Sequence, residues 1–393
     1  MNILLYSVRL DTGGIASVSV FLANAWKKAG HNVAVAYFSI ISDDVKVKFD
    51  DTIPIYSIGE YKYNKRSVGK LKEILKEFRP DVVINQFGLP WQPVKILLEA
   101  GNGLNFKIIS CYHSAPNANG RLTAIDNLLE KNPGLINKTA LKIERKVFSY
   151  VTSRSMRYVY NHSDAYVLLS PTFFPKFLIY TRLNNPNKLY AIANPVTLDS
   201  IPDCIDKNTK EKILLYVGRI ENVVKRVDRV IEIWRQLEPQ YPDWSLKLVG
   251  DGEGLDEVKN LTVKYNLKRV SFEGYKSPTP YYEKASIILL TSDFEGFGLV
   301  LVEGMTYGVV PVAYGSYDSV FDIIKDSYNG FVVLPEKGCF PVDTMASTIE
   351  SLMMNSQTLE GMSLKANQIS KKFSHATILS KWDDLFMRLN VLR

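Results

Sequence analysis

Two carboxylates within an otherwise apolar run are the first candidates for chemistry. The segment "EGFGLVLVEGMTYGVVPVAYGS" begins at Glu295, and Glu303 stands in the middle of its helix-like part. An unpaired polar group in apolar surroundings costs about 2–7 kcal/mol. Either Glu303 has hydrogen-bond donors, which the hydroxyl groups of a sugar or ribose would supply, or its helix is not buried. An ion pair with a basic neighbour is the simplest alternative, and a general acid and base pair of the glycosidase type is another.

A second group of residues could bind phosphate. In "YVGRIENVVKRVDRVIEIW" (216–234) a predicted strand ends at Gly218, and Arg219 and Lys225 precede a helix. Two fixed cations together with helix N–H groups form a site for a diphosphate. Arg226 follows Lys225 directly and could share its role. The alternative is that Arg219 and Lys225 are solvated residues of a surface loop.

Glycine-containing turns follow two further predicted strands. "VGDGEG" (249–254) contains Gly250 and Asp251, and "FEGY" (272–275) ends at Tyr275. Glycine lets the backbone approach a ligand closely. Ligands of open parallel sheets bind beyond the carboxyl ends of the strands. These turns are therefore expected to lie beside the predicted phosphate site.

The start of the helix that carries Glu303 is also a candidate ligand contact. Gly296 and Gly298 allow the loop before this helix to bend, and the N–H groups around Phe297, Gly298 and Leu299 are expected to point toward an anion. A phosphate would then lie between this helix and the two cations. This arrangement disfavours a general acid and base pair of the glycosidase type, because that interpretation does not explain the phosphate-type loops.

Short β-rich runs alternate with helical segments along the chain, which is typical of βαβ units and parallel sheets. Strands are predicted at 2–8, 32–38, 81–87, 107–113, 165–170, 189–194, 213–218, 245–250, 270–274, 286–291, 309–314 and 330–334. Helices fall between them, for instance at 15–29 and 68–78. With 393 residues, two domains are expected. The fold class is predicted to be α/β, with two Rossmann-like domains facing one another across a cleft.

The domain boundaries follow from local composition. The segment 199–212 is polar and contains proline, so a linker is predicted there between domains at 1–198 and 213–374. An amphipathic helix is predicted at 374–390, and a crossover of residues 375–393 back onto the first domain is expected.

Charge is unevenly distributed between the two halves. Residues 1–196 have 25 basic and 14 acidic side chains, net +11, whereas residues 197–393 have 23 and 27, net −4. The first half is therefore expected to meet an anionic partner. In 138–160, cations alternate with aliphatic and aromatic residues, as in a helix that lies on an anionic bilayer. The alternative is an ordinary solvated helix, and no motif for nucleic acid accompanies the charge.

Composition favours a cytosolic protein. The three cysteines are scattered without metal or redox spacing. The N-terminus has no basic region before its apolar residues, which predicts a first strand and not a signal peptide. No apolar run approaches the ~18 residues of a membrane span.

These motifs resemble the GT-B glycosyltransferases of family 4, the retaining group that includes lipopolysaccharide, capsule and mannosyl-lipid enzymes. The matching pieces of the second half are 216–231, 249–254, 272–275 and 295–316, with Glu295 and Glu303 forming the E-x7-E frame. Those of the first half are 11–35, 111–116 and the segment from "LSPTFFPKF" to "IANPV". The chain departs from the family in a longer loop before Lys225. A second departure is "GSYDSVFDII" (315–324), where many relatives have Gly-Gly-x-x-Glu.

The resemblance implies a role for each matching residue. Arg219 and Lys225 would bind the diphosphate and stabilise it as it leaves. Glu303 would hold ribose hydroxyls, and Glu295 would face the transferred sugar. The backbone around Phe297, Gly298 and Leu299 would contact the sugar and the phosphates, and the turns with Gly218, Gly250, Asp251 and Tyr275 would complete the nucleotide-sugar site. In the first half, Gly13 and Gly14 would approach the diphosphate or the acceptor, and His113 would lie near the transferred sugar. The alternative for His113 is a histidine that is satisfied within the protein.

The implied activity is retaining transfer of a hexose or N-acetylhexosamine from a nucleotide sugar to a hydroxyl group. UDP is the commonest nucleotide of the family, and neither a metal nor another cofactor is expected. A lipid-linked or polysaccharide acceptor and a cytoplasmic location on the inner face of the plasma membrane fit the basic first half. Two alternatives remain open: a nucleotide-sugar epimerase of the same fold, and a catalytically silent binding subunit of a glycosyltransferase complex.

Overall fold

The fold is described from a computed structural model. It describes the whole chain apart from residues 12, 118, 131–133, 185, 199–200, 203–204, 337 and 393. The chain divides into two compact units. The first consists of Met1–Asn117, Lys142–Thr197 and His375–Arg393, and the second of Ala118–Leu141 and Leu198–Ser374.

The elements of the first half alternate between strands and helices. In chain order they are β1 (Asn2–Leu10), α1 (Gly14–Lys28), β2 (Asn32–Ile41), α2 (Asp43–Lys46), β3 (Ile55–Ser57), α3 (Lys65–Phe78), β4 (Val82–Asn85), α4 (Trp91–Ala100), β5 (Lys107–Tyr112), α5 (Gly120–Glu130), α6 (Leu135–Asn161), β6 (Ala165–Leu168), α7 (Phe173–Thr181) and β7 (Leu189–Ala191).

The second half continues the alternation. Its elements are β8 (Ile213–Val217), α8 (Val227–Leu237), β9 (Ser245–Val249), α9 (Leu255–Lys264), β10 (Val270–Gly274), α10 (Thr279–Lys284), β11 (Ile287–Leu290), α11 (Leu299–Thr306), β12 (Val310–Tyr314), α12 (Val320–Ile323), β13 (Phe331–Val333), α13 (Val342–Met354), α14 (Ser356–Ser370) and α15 (His375–Arg388). Short 3₁₀ helices lie at Lys207–Thr209 and Lys371–Phe373.

Each unit is built on one parallel sheet. The strand order is β3-β2-β1-β4-β5-β6-β7 in the first sheet and β10-β9-β8-β11-β12-β13 in the second. All strand pairs of both sheets are parallel. The central strands are buried along their whole length because helices cover both faces. In each sheet the order reverses beside the first strand of the unit, and ligands of such folds bind at that point.

Amphipathic helices hold the loops of the second sheet in place. Val227, Val230, Ile231 and Trp234 of α8 are spaced by three and four residues, so they share one face, and all four are fully buried. This face packs into the core of the second unit with strand residues such as Leu248. The burial fixes the start of α8, and therefore the end of the loop that carries Lys225.

The predicted elements match the structure closely. Each predicted strand corresponds to an observed one, with differences of a few residues at the ends, and the α/β fold class is confirmed. The short edge strand β3 was not predicted. It has only three residues, none of them fully buried, so it carries little hydrophobic signal.

The units differ from the predicted domains in one segment, since Ala118–Leu141 packs with the second unit although its numbers lie within 1–198. Part of the predicted linker (199–200 and 203–204) lies outside the described residues. Its later part belongs to the second unit, where the Lys210 ammonium donates to the carbonyls of Tyr282 and Ala285, each at 2.9 Å.

The C-terminal helix belongs to the first unit. In α15, Trp382 and Phe386 pack against Trp26 of α1, with ring centroids 5.5 and 5.7 Å apart. His375 begins the helix, and its Nε2 lies 2.9 Å from the carbonyl oxygen of Val196. The predicted return of 375–393 to the first domain is therefore observed.

Within the described part of the chain, none of the helices combines the length and the apolar character that crossing a lipid bilayer requires.

Candidate active site

The candidate site lies at the carboxyl end of the second sheet. The loops that follow β8 and β11 are neighbours there, because these two strands pair in the centre of the sheet. The order of the strands reverses between them, which makes this the expected position for a ligand. Residues 218–226 and 291–298 form the two loops.

Glycine allows the turns after β8, β9 and β10 to pack against each other. The Gly250 N–H donates to the carbonyl of Gly274 at 2.9 Å. A Cβ on Gly250 would lie 1.8 Å from the Gly218 oxygen, and its φ of +149° is unfavourable for other residues. The three turns therefore form a compact base, and Gly250 is required for it. Asp251 is exposed and accepts a hydrogen bond from the Gly252 N–H.

A buried glutamate organises the loop before α8. Glu221 is 2% exposed, and its carboxylate accepts hydrogen bonds from the N–H groups of Val223, Val224 and Lys225 at 2.9–3.0 Å. Hydrogen bonds from N–H groups to an ionised carboxylate are among the stronger ones in proteins. The amide of Asn127 in α5 donates to the Val223 carbonyl at 2.7 Å. Glu221 was not predicted as a site residue; its only signal is an acidic residue inside a loop that was expected to bind an anion.

The cation Lys225 is held beside Glu295. The Lys225 Nζ lies 2.6 Å from Glu295 Oε1, and Ser292 Oγ donates to the same oxygen at 2.7 Å. The two side chains are 25% and 13% exposed, so the ion pair is partly shielded from water. Arg219 is 69% exposed, and its guanidinium is 4.0 Å from Glu221. One cation is therefore fixed by the protein, and the other extends into solvent.

Arg226 has a structural role in this arrangement. Its backbone adopts the left-handed conformation, with φ +53°. Its guanidinium pairs with Asp228 at 2.9 Å and with Asp293 at 3.3 Å, and Arg229 pairs with Asp293 at 2.5 Å. Two carboxylates already engage Arg226, so the interpretation that it shares the role of Lys225 is not supported in the free protein.

The start of α11 presents its backbone to the same place. Gly298, with φ +88°, precedes the helix, and the N–H groups of Phe297, Gly298 and Leu299 have no acceptor within it. The Phe297 ring is buried and packs edge-on against Phe373 at 5.3 Å. Phe297 can therefore offer a ligand only its backbone.

Glu303 is a buried carboxylate with a partner inside the protein. It is 6% exposed, and the hydroxyl of Tyr282 donates to its Oε2 at 3.2 Å. Burial, and then the charge of Glu303, raise the pKa of Tyr282, so the hydroxyl keeps its proton. Glu303 lies one turn into α11, on the inward side as predicted. Its role toward a ribose stays a prediction.

Tyr275 lies at the outer part of this edge. It follows Gly274 at the end of β10 and is 72% exposed. Its contact with the nucleotide sugar stays a prediction.

The remaining predicted residues belong to the first unit. Gly13 and Gly14 follow β1 and open α1, and His113 follows β5, so these residues stand at the carboxyl ends of their strands. His113 Nε2 lies 2.7 Å from Gln86 Oε1. Burial lowers the pKa of His113 to about 4, so the imidazole is neutral at pH 7.

Comparisons with known proteins agree with this fold. A family described as Glycosyltransferase Family 4 matches residues 12–199, and one described as Glycosyl transferases group 1 matches residues 199–369. An uncharacterized glycosyltransferase of Haemophilus influenzae is 26% identical over 379 residues, which cover 95% of this chain and 96% of that protein.

Two further proteins carry more specific names. A Campylobacter jejuni enzyme named GalNAc-alpha-(1->4)-GalNAc-alpha-(1->3)-diNAcBac-PP-undecaprenol alpha-1,4-N-acetyl-D-galactosaminyltransferase is 22% identical, with 97% of each chain covered. The crystal structure of HepE from Anabaena, in complex with UDP and glucose, has a TM-score of 0.73 at 14% identity, with 99% of each chain covered.

Two parallel-sheet Rossmann-like units and these matches define a glycosyltransferase of the GT-B fold. The first half of the chain matches the Glycosyltransferase Family 4 model and the second half matches the Glycosyl transferases group 1 model, and the two matches together cover residues 12–369.

Proposed function

We propose that the chain transfers a hexose or an N-acetylhexosamine from a UDP-sugar to a hydroxyl group of a lipid-linked or polysaccharide acceptor. The observation that carries this proposal is the partly buried ammonium of Lys225, held by Glu295 beside the start of α11. A fixed cation and the first N–H groups of a helix, which have no acceptor within that helix, suit the diphosphate of a nucleotide sugar. The exposed Arg219 can close on the same phosphates.

The geometry supports stabilisation of the leaving group. As the bond between the sugar and the diphosphate breaks, negative charge grows on the phosphate oxygen. Groups that are already oriented toward this charge lower the barrier because they need no reorganisation. Glu221 provides this order, since three hydrogen bonds to its carboxylate fix the backbone up to Lys225.

We propose further that the configuration of the sugar is retained and that no metal takes part. The departing phosphate oxygen can accept the proton of the acceptor hydroxyl while a new bond to the sugar forms on the same face. Glu295 is engaged by Lys225 and Ser292, which makes it a poor nucleophile and supports a reaction without a covalent intermediate. Arg219 and Lys225 would neutralise the diphosphate in place of a metal.

The nucleotide and the acceptor are proposed from similar proteins. HepE, a protein of the same fold, was crystallised with UDP and glucose. The Campylobacter enzyme is named for an acceptor linked to undecaprenol diphosphate. A lipid-linked acceptor also fits the net charge of +11 in residues 1–196, because such an acceptor lies at a membrane surface.

An exposed, partly apolar face of α6 supports this acceptor. On α6, Ile143, Val147, Tyr150 and Val151 are spaced by three and four residues, so they share one face, and each is 54–58% exposed. Lys142, Lys146 and Arg154 lie beside them and are exposed. An apolar face bordered by cations suits an anionic bilayer. We propose that this face binds peripherally to the cytoplasmic membrane.

A screen of nucleotide sugars tests the activity. Purified protein is incubated with UDP-, GDP- and ADP-sugars and an extract of lipid-linked acceptors, with and without EDTA, and nucleotide release is measured. Release from one nucleotide sugar, unaffected by EDTA, is expected, and NMR of the product would report its anomeric configuration. Conversion of a nucleotide sugar without an acceptor would instead indicate an epimerase. If no nucleotide were released from any of the nucleotide sugars and no nucleotide shifted the melting temperature, a binding subunit would be indicated.

Vesicle flotation tests the membrane surface. The protein is expected to float with vesicles that contain anionic phosphatidylglycerol. With vesicles of neutral phosphatidylcholine it is expected to remain unbound at the bottom of the gradient. A variant with Ile143→Asp and Val147→Asp is expected to lose this binding. Its nucleotide release with a water-soluble acceptor analogue is expected to persist. Equal flotation of the variant and the wild type would contradict the assignment of this face.

A further inference from the structure

Tyr317 carries a buried hydroxyl group that the fold does not use. It lies in the loop after β12, within the segment 315–324 that departs from the family pattern, and it is 3% exposed. Its hydroxyl oxygen has no hydrogen-bond partner among the described residues. Buried polar groups nearly always have a partner, so an unpaired one requires an explanation.

The hydroxyl points at the start of α11. A Cβ on Gly298 would lie 2.6 Å from the Tyr317 oxygen, so this oxygen lies against the bare backbone of Gly298. Burial, and then the charge of Glu295, raise the pKa of Tyr317. The group therefore keeps its proton at neutral pH and acts as a hydrogen-bond donor next to the helix N–H groups.

The loop that carries Tyr317 is fastened to the candidate site. Ser316 Oγ donates to the Ser292 carbonyl at 2.6 Å, and Ser319 Oγ donates to the Gly296 carbonyl at 3.3 Å. These two bonds lie on either side of Glu295 in the chain. The position of Tyr317 relative to Glu295 and Gly298 is therefore held by the protein, although its own hydroxyl group is unpaired.

We propose that the Tyr317 hydroxyl donates a hydrogen bond to an oxygen of the bound nucleotide sugar at the start of α11. The acceptor is either a phosphate oxygen or a hydroxyl of the transferred sugar. The proposal rests on the proposed function, because it requires a nucleotide sugar in this site. It makes Tyr317 a substrate-contacting residue that replaces part of the segment found in many relatives.

The variant Tyr317→Phe removes only the hydroxyl group. Its dissociation constants for UDP and for a panel of UDP- and GDP-hexoses are measured by titration calorimetry, and its melting temperature is compared with that of the wild type. An unchanged or higher melting temperature is expected, because no bond is lost in the free protein. The dissociation constant is expected to rise about three- to ten-fold, the effect of one hydrogen bond. Weaker binding of UDP itself would indicate a phosphate contact, whereas weaker binding of UDP-sugars alone would indicate a contact to the sugar.

Tyr6→Phe is the matched control. Tyr6 is also fully buried, but its hydroxyl donates to the Pro93 carbonyl at 3.1 Å in the first unit. This control is expected to lower the melting temperature and to leave nucleotide binding unchanged.

Three outcomes would overturn the proposal. Equal dissociation constants for Tyr317→Phe and the wild type would exclude the contact while leaving the proposed function intact. Misfolding of Tyr317→Phe would show that the hydroxyl has a structural partner. Failure of the wild type to bind any member of the panel would overturn both this proposal and the proposed function.

Discussion

The carboxyl ends of the two sheets are built in different ways. In the second sheet, charged side chains hold one another: Glu221 binds the loop of Lys225, and Lys225 binds Glu295. In the first sheet, Gly14 opens a helix and has no atom of the described residues within 4 Å of the place where a Cβ would lie, and His113 is neutral. A diphosphate carries concentrated negative charge and is stabilised by fixed cations, whereas a hydroxyl acceptor is uncharged. Under the proposed function, the second unit would stabilise the leaving group and the first unit would meet the acceptor.

The largest effect is expected from a substitution that breaks the charged arrangement of the second unit. Lys225→Ala removes the fixed cation and is expected to lower kcat/KM by about 10²–10³, the range for loss of one preorganised stabilising group. The measurement is steady-state nucleotide release with the nucleotide sugar found by the screen.

Lys212→Ala is the matched control for Lys225. Lys212 also pairs with a carboxylate, that of Asp243 at 3.2 Å, but both side chains are more than half exposed. Such surface pairs contribute little, so no change in kcat/KM is expected. Equal activity of Lys225→Ala and Lys212→Ala would show that the fixed cation is not used in the reaction.

Glycine substitutions sharpen the contrast in packing between the two sheets. Gly250→Ala would place a Cβ 1.8 Å from the Gly218 oxygen at a φ of +149°, and we expect the free energy of unfolding to fall by about 3 kcal/mol or more. Gly14→Ala meets no neighbour and is expected to change it by less than about 0.5 kcal/mol. Chemical denaturation of both variants measures the difference. Similar losses at the two positions would contradict the contrast.

Glu221 variants test whether the buried carboxylate orders the loop. Glu221→Ala leaves three N–H groups without their acceptor and is expected to lower the free energy of unfolding by about 2 kcal/mol and to weaken UDP binding about ten-fold. Glu221→Gln keeps one amide oxygen, so a smaller loss of both is expected. If Glu221→Ala lost stability but bound UDP like the wild type, the carboxylate would have no part in positioning Lys225.

The smallest expected effect concerns His113 in the first unit. Its pKa is about 4 in the folded protein, against about 6.5 in the unfolded chain. The unfolded state therefore binds more protons than the folded state between about pH 4 and 6.5. The free energy of unfolding rises with pH through this window, and the contribution of His113 is fully present above it. After allowance for the partial exposure of the ring, about 1–2 kcal/mol is expected. His113→Gln should remove this part of the pH dependence, and an unchanged difference between pH 4.5 and 7 would contradict it.

Local signals were sufficient for most of the fold. The strands of both sheets were predicted because each is a short apolar run bounded by turn residues, and Glu303 was placed on the inward side of its helix. The three-residue strand β3 was missed because so short an element has little pattern. The assignment of Ala118–Leu141 to the second unit was also missed, since packing between segments far apart in the chain leaves no periodic signal.

The same limit applies to the candidate site. The residue types and their order in the loops predicted phosphate binding, and Arg219, Lys225, Glu295 and Glu303 were proposed as site residues in this way. The role of Glu221 was not found, because three hydrogen bonds to backbone N–H groups depend on the path of the loop and not on residue type. The engagement of Arg226 by Asp228 and Asp293 likewise depends on the folded path of two separate loops.

By itself the sequence determined the alternation of strands and helices, the position of the charged loops at strand ends, and the family. These properties follow from patterns within short stretches of chain, where hydrophobic period and turn chemistry decide the backbone. Only the tertiary structure decided which charges pair, as for Lys225 with Glu295, and which polar group stays unpaired, as for Tyr317. Hydrogen bonds and ion pairs depend on distances of a few ångströms between residues that are far apart in sequence, and only packing sets those distances.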